Sequence, residues 1–189
     1  MLYLASQSPR RHALLTQIGI EHVLLDVDVP EQRLPAEPAL DYVSRVAREK
    51  AGAGLLQVVS HPKAVVLGAD TEVVQGDHVF GKPIDGDDAR RMLRELSGKV
   101  HQVISVVWLV SAGREEHAIN ISDVHMAAFS DAQLDALIAS GDFHGKAGGY
   151  AIQGQAAIFI AHLSGSYSGV MGLPLHETAQ LLRKFGMLP

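Results

Sequence analysis

Two serines and two arginines lie close together near the N-terminus, in the order Ser6, Ser8, Arg10 and Arg11. Ser8 followed by Pro9 is a typical helix start, so both arginines fall in the first helical turn. Positive charges there oppose the helix dipole, at a cost of about 0.3–1 kcal/mol each. A bound polyphosphate would reverse that sign, because free amides, hydroxyls and guanidinium groups together suit such an anion. A capped surface helix with solvated arginines is the alternative interpretation.

An acidic residue, Asp70, follows an apolar run from Ala64 to Ala69. The run predicts a buried strand, and a carboxylate at the end of such a strand lies where α/β sheets place ligands. Its oxygens also suit a hard divalent cation. The alternative is a solvated aspartate that begins a turn.

Lys82 ends a stretch from Gly76 that superficially fits the phosphate-binding pattern G-x-x-x-x-G-K. The fit fails, because Pro83 supplies no hydroxyl for a metal and biases Lys82 toward extended geometry. Lys82 can still act as a fixed charge for phosphate, or it lies in an ordinary exposed turn. Glu31 and Lys50 are candidate partners, as a metal or base carboxylate and as a phosphate cation, although such side chains are usually solvated.

The composition narrows the class of protein. The chain has 189 residues, 47% hydrophobic and 20% charged, with a formal net charge of -5, which predicts a folded domain and excludes global disorder. An acidic balance argues against long nucleic acid as a partner. The absence of cysteine excludes disulfides and fits a reducing compartment. No apolar run reaches the roughly 18 residues of a membrane span, so we expect a cytoplasmic protein with no membrane partner.

Alternating apolar and helix-periodic segments predict a mixed α/β protein, with one two-lobed domain over residues 1–189 and a mixed β-sheet flanked by helices. Predicted strands cover about 2–5, 23–27, 64–69, 100–111, 115–129 and 156–163, and a hairpin joins 73–74 to 79–80. Predicted helices cover about 9–18, 39–51, 87–96 and 174–185. A capping box at Ser130-x-x-Gln133 predicts one more short helix.

Taken in order, these motifs resemble the Maf family of nucleoside triphosphate pyrophosphatases over nearly the whole chain. Each motif alone is weak, whereas the ordered set is highly specific. The resemblance rests on Leu4-Ala5-Ser6-x-Ser8-Pro9-Arg10-Arg11, Glu31, Ala47-x-x-Lys50-Ala51, Gly68-Ala69-Asp70-Thr71, Gly81-Lys82-Pro83, Leu96-Ser97-Gly98-Lys99-x-His101-x-Val103, Lys146-Ala147-Gly148-Gly149-Tyr150-x-Ile152-Gln153-Gly154, and Gly165-Ser166-Tyr167 with Val170-x-Gly172-Leu173-Pro174.

The resemblance implies a fold similar to that of inosine triphosphatase-like proteins, with a nucleotide cleft between two lobes. It implies cleavage of a nucleoside triphosphate to the monophosphate and pyrophosphate, with a divalent metal such as Mg²⁺ or Mn²⁺. Asp70 would be the proton acceptor or a metal ligand, and Glu31 the second carboxylate for either task. The implied phosphate-binding and charge-neutralising residues are Ser6, Ser8, Arg10, Arg11, Lys50 and Lys82.

Arg11, Thr71 and Gln153 match the combination associated with the family branch that acts on dTTP and UTP. A glutamine amide donates and accepts at once, as the edge of uracil or thymine requires. Gly145 stands where the family usually has aspartate before Lys146, a departure near the expected base pocket. The alternatives are the same chemistry on 7-methyl-GTP or on modified pyrimidine triphosphates, and a non-catalytic nucleotide-binding regulator of septation. A second copy of the chain is a candidate partner.

Overall fold

Seven strands form one mixed sheet in the computed structural model, which describes residues 1–189. The strands are β1 (Leu2–Ala5), β2 (His22–Leu25), β3 (Val65–Gln75), β4 (His78–Phe80), β5 (Val100–Ser111), β6 (Arg114–Met126) and β7 (Ile160–Ser164). The helices are α1 (Pro9–Gln17), α2 (Ala39–Gln57), α3 (Gly86–Leu96), α4 (Asp131–Ala139), α5 (Tyr167–Met171) and α6 (Leu175–Lys184). The mixed α/β class predicted from the sequence is confirmed.

The sheet has the strand order β2-β1-β3-β5-β6-β7, with β4 paired to the far part of β3. β1 is parallel to both β2 and β3, whereas all other pairs are antiparallel. The parallel pairs are the ones whose connections contain the helices α1 and α2, as crossover connections require. No helix is both long enough and apolar enough to cross a lipid bilayer.

Two apolar cores lie on the same face of the long strands. Near one end Leu67 of β3 packs with residues of α1 and α6. Toward the other end Val73 of β3 packs with residues of α3 and α4. Between them Thr71 and Ser105 face each other across β3 and β5, with their hydroxyl oxygens 2.7 Å apart. One sheet therefore carries both cores, and a polar pair marks the boundary between them.

Helix α2 covers the opposite face of the sheet and is longer than predicted. The sequence predicts an end near Ala51, yet the helix continues to Gln57. Gly54 explains the continuation: a Cβ atom there would lie 2.9 Å from side-chain atoms of both Ala5 and Val66. This glycine therefore allows close packing of helix on sheet rather than ending the helix.

Other predicted elements are confirmed or corrected. The capping box is present, with Ser130 and Gln133 bonded reciprocally, and the hairpin joins Gln75 to His78 across a two-residue turn. The last strand begins only at Ile160, because the preceding residues form a 3₁₀ turn. Helix α5 was not predicted, since it is five residues long and lies in a Gly/Ser-rich segment.

Candidate active site

An interruption in strand pairing opens the sheet at the centre of β3. β1 stops pairing with β3 at Gly68, and β4 starts pairing with it at Val73. Residues 69–72 consequently have β5 on one side and no strand on the other. A cavity of about 490 Å³ lies at this interruption and is lined by both Asp70 and Thr71. Successive side chains of a strand point to opposite faces, so the cavity is reached from both faces of β3.

Asp70 lies inside a strand, whereas the sequence predicts that it follows one. The apolar run that begins at Ala64 continues as β3 through Asp70 to Gln75. It is β1, which ends at Ala5, that stops beside the site. The expectation of a ligand site where a parallel strand ends therefore applies to β1 rather than to β3.

A chain of ion pairs joins the acidic residues at the cavity. The Lys50 Nζ atom lies 2.6 Å from Glu31 Oε1 and 2.7 Å from Asp70 Oδ1, and Lys82 also pairs with Glu31. The side chains of Lys50 and Asp70 are only 10% and 6% exposed. Burial opposes ionisation of Glu31, but the charges and hydrogen bonds of Lys50 and Lys82 outweigh it and lower its pKa to about 2. Glu31 is therefore ionised at neutral pH.

Glu72 is a buried acidic residue that the sequence motifs did not single out. Its burial, and then the nearby charges of Asp70 and Glu31, raise its pKa well above the usual value. Its Oε2 atom is buried with no hydrogen-bond partner. The available signal was the Asp70-x-Glu72 spacing within a strand, since residues two apart share one face. We call the group formed by Arg10, Arg11, Glu31, Lys50, Asp70, Glu72 and Lys82 the charged end.

Arg11 is buried and ties three segments together. Its guanidinium group donates to the carbonyl oxygen of Gly172 at 2.8 Å, to Ser6 Oγ at 3.1 Å and to Thr71 Oγ1 at 3.4 Å. Burial lowers its pKa, although the carboxylate of Asp70 partly offsets this effect. Arg11 therefore has a structural role in addition to lining the cavity.

Arg10 is less engaged than its neighbour. It is half-buried, and its Nε atom donates to the carbonyl oxygen of Met171 at 3.1 Å. Ser8 lines the cavity and its side chain makes no capping hydrogen bond. Ser6 is buried and lies outside the cavity lining, where its hydroxyl oxygen accepts from the Ser8 amide and from Arg11. Of the predicted phosphate-binding residues, Ser6 is thus the one that the structure places behind the surface of the cavity.

A glycine-rich segment, residues 141–155, forms the other side of the cavity, and we call it the glycine loop. Lys146, Tyr150 and Gln153 from this loop line the cavity, and Gln153 is exposed. Gly145, at the position of the family departure, has φ +67° with no atom within 4 Å of a Cβ placed there. Glycine at position 145 thus allows the left-handed backbone of the loop and is not required for close packing.

Tyr150 is held from below by a buried histidine. The Nε2 atom of His101 and the Tyr150 hydroxyl are 2.6 Å apart. Burial lowers the pKa of His101 to about 4 and raises the pKa of Tyr150. Both side chains are therefore neutral at neutral pH. The hydrogen bond that supports Tyr150 joins two uncharged groups.

Charge is distributed unevenly around the cavity. Its cationic lining residues outnumber its acidic ones: Arg10, Arg11, Lys50, Lys82 and Lys146 against Asp28, Glu31 and Asp70. This excess occurs in a protein whose formal net charge is -5. A cleft with this balance suits an anionic small molecule, and its several cations suit a polyphosphate.

A divalent cation fits the charged end when phosphate oxygens complete its ligands. No three side chains among histidine, aspartate and glutamate form a complete metal cluster. Asp70 Oδ2, however, is buried without a partner, whereas both oxygens of Glu31 are paired with lysines. Mg²⁺ is commonly held by one or two carboxylates together with substrate phosphates. Asp70 thus suits this ion directly, and Glu31 suits it only after it releases a lysine.

The fold and the cleft together define an α/β protein suited to a phosphorylated small molecule. A family model described as Maf-like protein matches residues 1–185, and the chain belongs to this family. The resemblance found in the sequence is thereby confirmed.

Close relatives cover almost the whole chain. A protein named dTTP/UTP pyrophosphatase from Xanthomonas axonopodis pv. citri (strain 306) is 57% identical over 188 residues, 98% of this chain and 99% of its own. A protein of the same name from Chromobacterium violaceum is 49% identical and covers 98% of this chain and 94% of its own. Among solved structures, protein VC0702 from Vibrio cholerae aligns over 75% of this chain and 72% of its own, with 13% identity and a TM-score of 0.35, a likeness too low to support any conclusion.

Proposed function

We propose that this chain hydrolyses dTTP and UTP to the nucleoside monophosphate and pyrophosphate. The observation that carries the proposal is the excess of cations around one cavity of an otherwise acidic protein. The printed names of close relatives support the same substrates. In this proposal the triphosphate lies at the charged end and the base lies against the glycine loop.

The charged end binds phosphate by exchanging partners. Lys50 and Lys82 are paired with carboxylates, and Arg10 has one hydrogen bond to a carbonyl group. Phosphate oxygens of the substrate replace these carboxylate and carbonyl partners. The cations are therefore already at the cavity before the substrate binds. Charges held in place before the reaction stabilise a transition state most efficiently. When bound, a divalent cation held by Asp70 or Glu31 would neutralise charge on the leaving pyrophosphate.

The chemical step is attack of water on the α-phosphorus. A bond forms between the water oxygen and the α-phosphorus. The bond between the α-phosphorus and the α–β bridging oxygen breaks. The bonding electron pair leaves with pyrophosphate, and the water loses one proton to a carboxylate. In the proposed step Asp70 accepts this proton, because both oxygens of Glu31 are paired with lysines. Asp70 Oδ2 has no hydrogen-bond partner, but it cannot take the proton while it holds a cation. With Asp70 as the base, the cation would therefore be held by Glu31 after it releases a lysine.

Base selection depends on Gln153 with Arg11 and Thr71, which all line the cavity. The amide of Gln153 can donate to a pyrimidine carbonyl and accept from the ring N–H. A base that leaves these polar groups unsatisfied is bound less well.

The test is a panel of nucleoside triphosphates, including dTTP, UTP, dATP, GTP and 7-methyl-GTP, assayed for pyrophosphate with Mg²⁺, with Mn²⁺ and with a chelator. We expect dTTP and UTP to have the highest kcat/KM and the chelator to abolish turnover. The same panel is run with Asp70→Asn. Its control is Asp135→Asn, because Asp135 is an exposed aspartate of α4 that is also paired with a cation, Arg90.

Other outcomes select the alternatives. A preference for 7-methyl-GTP would assign the same chemistry to another substrate. Tight nucleotide binding without pyrophosphate release would indicate a non-catalytic regulator. The cytoplasmic location and association with a second copy of the chain stay predictions from the sequence.

A further inference from the structure

The glycine loop has little regular structure to fix its shape. It contains glycines with positive φ at 141, 145, 148 and 149, which add conformational freedom. Its one backbone hydrogen bond to a distant segment runs from the Gly148 amide to the carbonyl oxygen of Gly81. Tyr150 is fixed in the middle of the loop by the core and by His101, so the segment that follows Gln153 requires a contact of its own.

Asp142 makes contacts at both ends of this loop. Its Oδ2 atom accepts a hydrogen bond from the Gln155 amide at 3.2 Å, and its Oδ1 atom lies 3.1 Å from Lys146 Nζ. Lys146 also donates to the backbone carbonyl oxygen of Asp142. The Asp142 amide in turn donates to Ser140 Oγ at 3.1 Å, which anchors the residue to the end of α4.

The backbone beside Gln153 is shaped to receive this carboxylate. A Cβ atom placed on Gly154 would lie 1.7 Å from Asp142 Oδ2. Only glycine at this position leaves room for the side chain of Asp142. The carboxylate thus lies directly against the residue that follows Gln153 and bonds to the amide one residue further on.

Asp142 also acts electrostatically beyond the loop. Burial lowers the pKa of Arg10, and the charge of Asp142 partly offsets that effect. The same carboxylate therefore contacts the loop that carries Gln153 and favours the charged form of an arginine at the charged end.

We propose that Asp142 is a positioning residue for base selection, which fixes Gln153 toward the cavity by holding Gln155 and Lys146. The inference rests on the proposed function, because it assigns the base to the glycine loop. Asp142 itself does not line the cavity, so it acts through its neighbours.

Hydrogen exchange of the substrate-free protein tests the structural part without reference to any substrate. The variants are Asp142→Ala, Asp142→Asn and the control Asp135→Ala, which also removes an aspartate with an ion pair. We expect exchange at the Gln155 amide to become at least about tenfold faster in Asp142→Ala, because its acceptor is lost. Asp142→Asn keeps an acceptor oxygen and should lie between Asp142→Ala and wild type. Exchange within about twofold of the control in Asp142→Ala would overturn the proposal.

Kinetics test the effect on base selection. We expect Asp142→Ala to raise KM for dTTP about tenfold with a smaller change in kcat, and to lower the preference for dTTP over dATP by a similar factor. Inhibition by inorganic tripolyphosphate, which has no base, should not weaken, because Asp142→Ala removes no cation from the cavity. All parameters of Asp135→Ala should change less than about twofold. Faster exchange with an unchanged dTTP/dATP preference would overturn the role in selection.

Failure of the proposed function is distinguishable from failure of this inference. A wild-type enzyme with no pyrimidine preference would refute the proposed substrate. The hydrogen-exchange comparison would still decide whether Asp142 holds the loop. Circular dichroism of both Asp142 variants shows whether the fold is intact, and Asp142→Asn provides a milder change should Asp142→Ala unfold.

Discussion

The charged end and the glycine loop face the same cavity but are built in different ways. Side chains of the charged end come largely from α1, α2 and β3, and Arg11, Lys50, Asp70 and Glu72 are buried. Most of them pair with one another or with backbone carbonyls, whereas Glu72 Oε2 has no partner. The glycine loop instead combines several glycines in left-handed conformations with an exposed Gln153. Substitutions at the charged end should therefore alter both chemistry and stability, whereas those in the loop should alter mainly the choice of substrate.

The largest expected effect is at Asp70. Asp70→Asn conserves volume and keeps an oxygen that can accept from Lys50, but removes the charge needed for proton transfer or metal binding. We expect kcat to fall by about 10²–10⁴-fold while the far-ultraviolet circular dichroism is unchanged. Activity within about tenfold of wild type, measured beside Asp135→Asn, would exclude Asp70 from the chemical step.

The adjacent arginines separate a structural from a ligand-binding role within the charged end. Arg11→Ala loses two buried hydrogen bonds and one partly buried one and should lower the free energy of unfolding by about 2–4 kcal/mol. Arg10→Ala loses one half-buried hydrogen bond and should change it by less than about 1 kcal/mol while strongly lowering kcat/KM. Urea unfolding without substrate measures the free energy of unfolding of both variants. A larger loss of stability in Arg10→Ala than in Arg11→Ala would reverse the assignment.

A fall in pH should reduce the free energy of unfolding first through His101, beside the glycine loop, and only later through the ion pairs of Glu31. The folded-state pKa of His101 is about 4, below its ordinary value, so the unfolded chain takes up this proton first as pH falls. Stability from this group is present above pH 6.5 and is lost between pH 6.5 and about 4, by roughly 3 kcal/mol. Glu31, with a pKa of about 2, loses its contribution only at lower pH. Compared with His101→Asn, wild type should show a steeper fall in the free energy of unfolding between pH 7 and 4; equal slopes would contradict this.

The smallest effect is expected at Gln153, which should influence selection without affecting stability. Gln153→Ala should lower kcat/KM for dTTP and UTP, because a polar contact to the base is lost. The expected loss corresponds to a rise of roughly 1–3 kcal/mol in the activation free energy. Turnover of dATP and the melting temperature should change little. An equal loss on every nucleotide would show that Gln153 does not select the base.

The sequence predicted the elements of this fold better than their ends. Regular apolar patterns located β1, β5 and α3, and local capping chemistry located α4. The predicted end of α2 was wrong, because a local apolar pattern does not show the close packing of Gly54 on the sheet. The continuation of β3 through residues 69–72 depends on pairing with β5, which local patterns do not specify.

The same limit applies to the site. The residue types and local spacing at Arg10, Asp70 and Lys82 indicate phosphate chemistry, and the fold brings all three to one cavity. Local sequence does not show that Arg11 bonds to Gly172, or that Asp142 packs on Gly154. These contacts join segments that only the complete fold brings together.

The position of bond cleavage tests the central claim most directly. Hydrolysis of dTTP in water enriched in ¹⁸O, followed by mass spectrometry of both products, shows which phosphorus the water attacks. Attack on the α-phosphorus predicts one labelled oxygen in thymidine monophosphate and none in pyrophosphate. Label in pyrophosphate, or release of labelled orthophosphate, would contradict the proposed reaction.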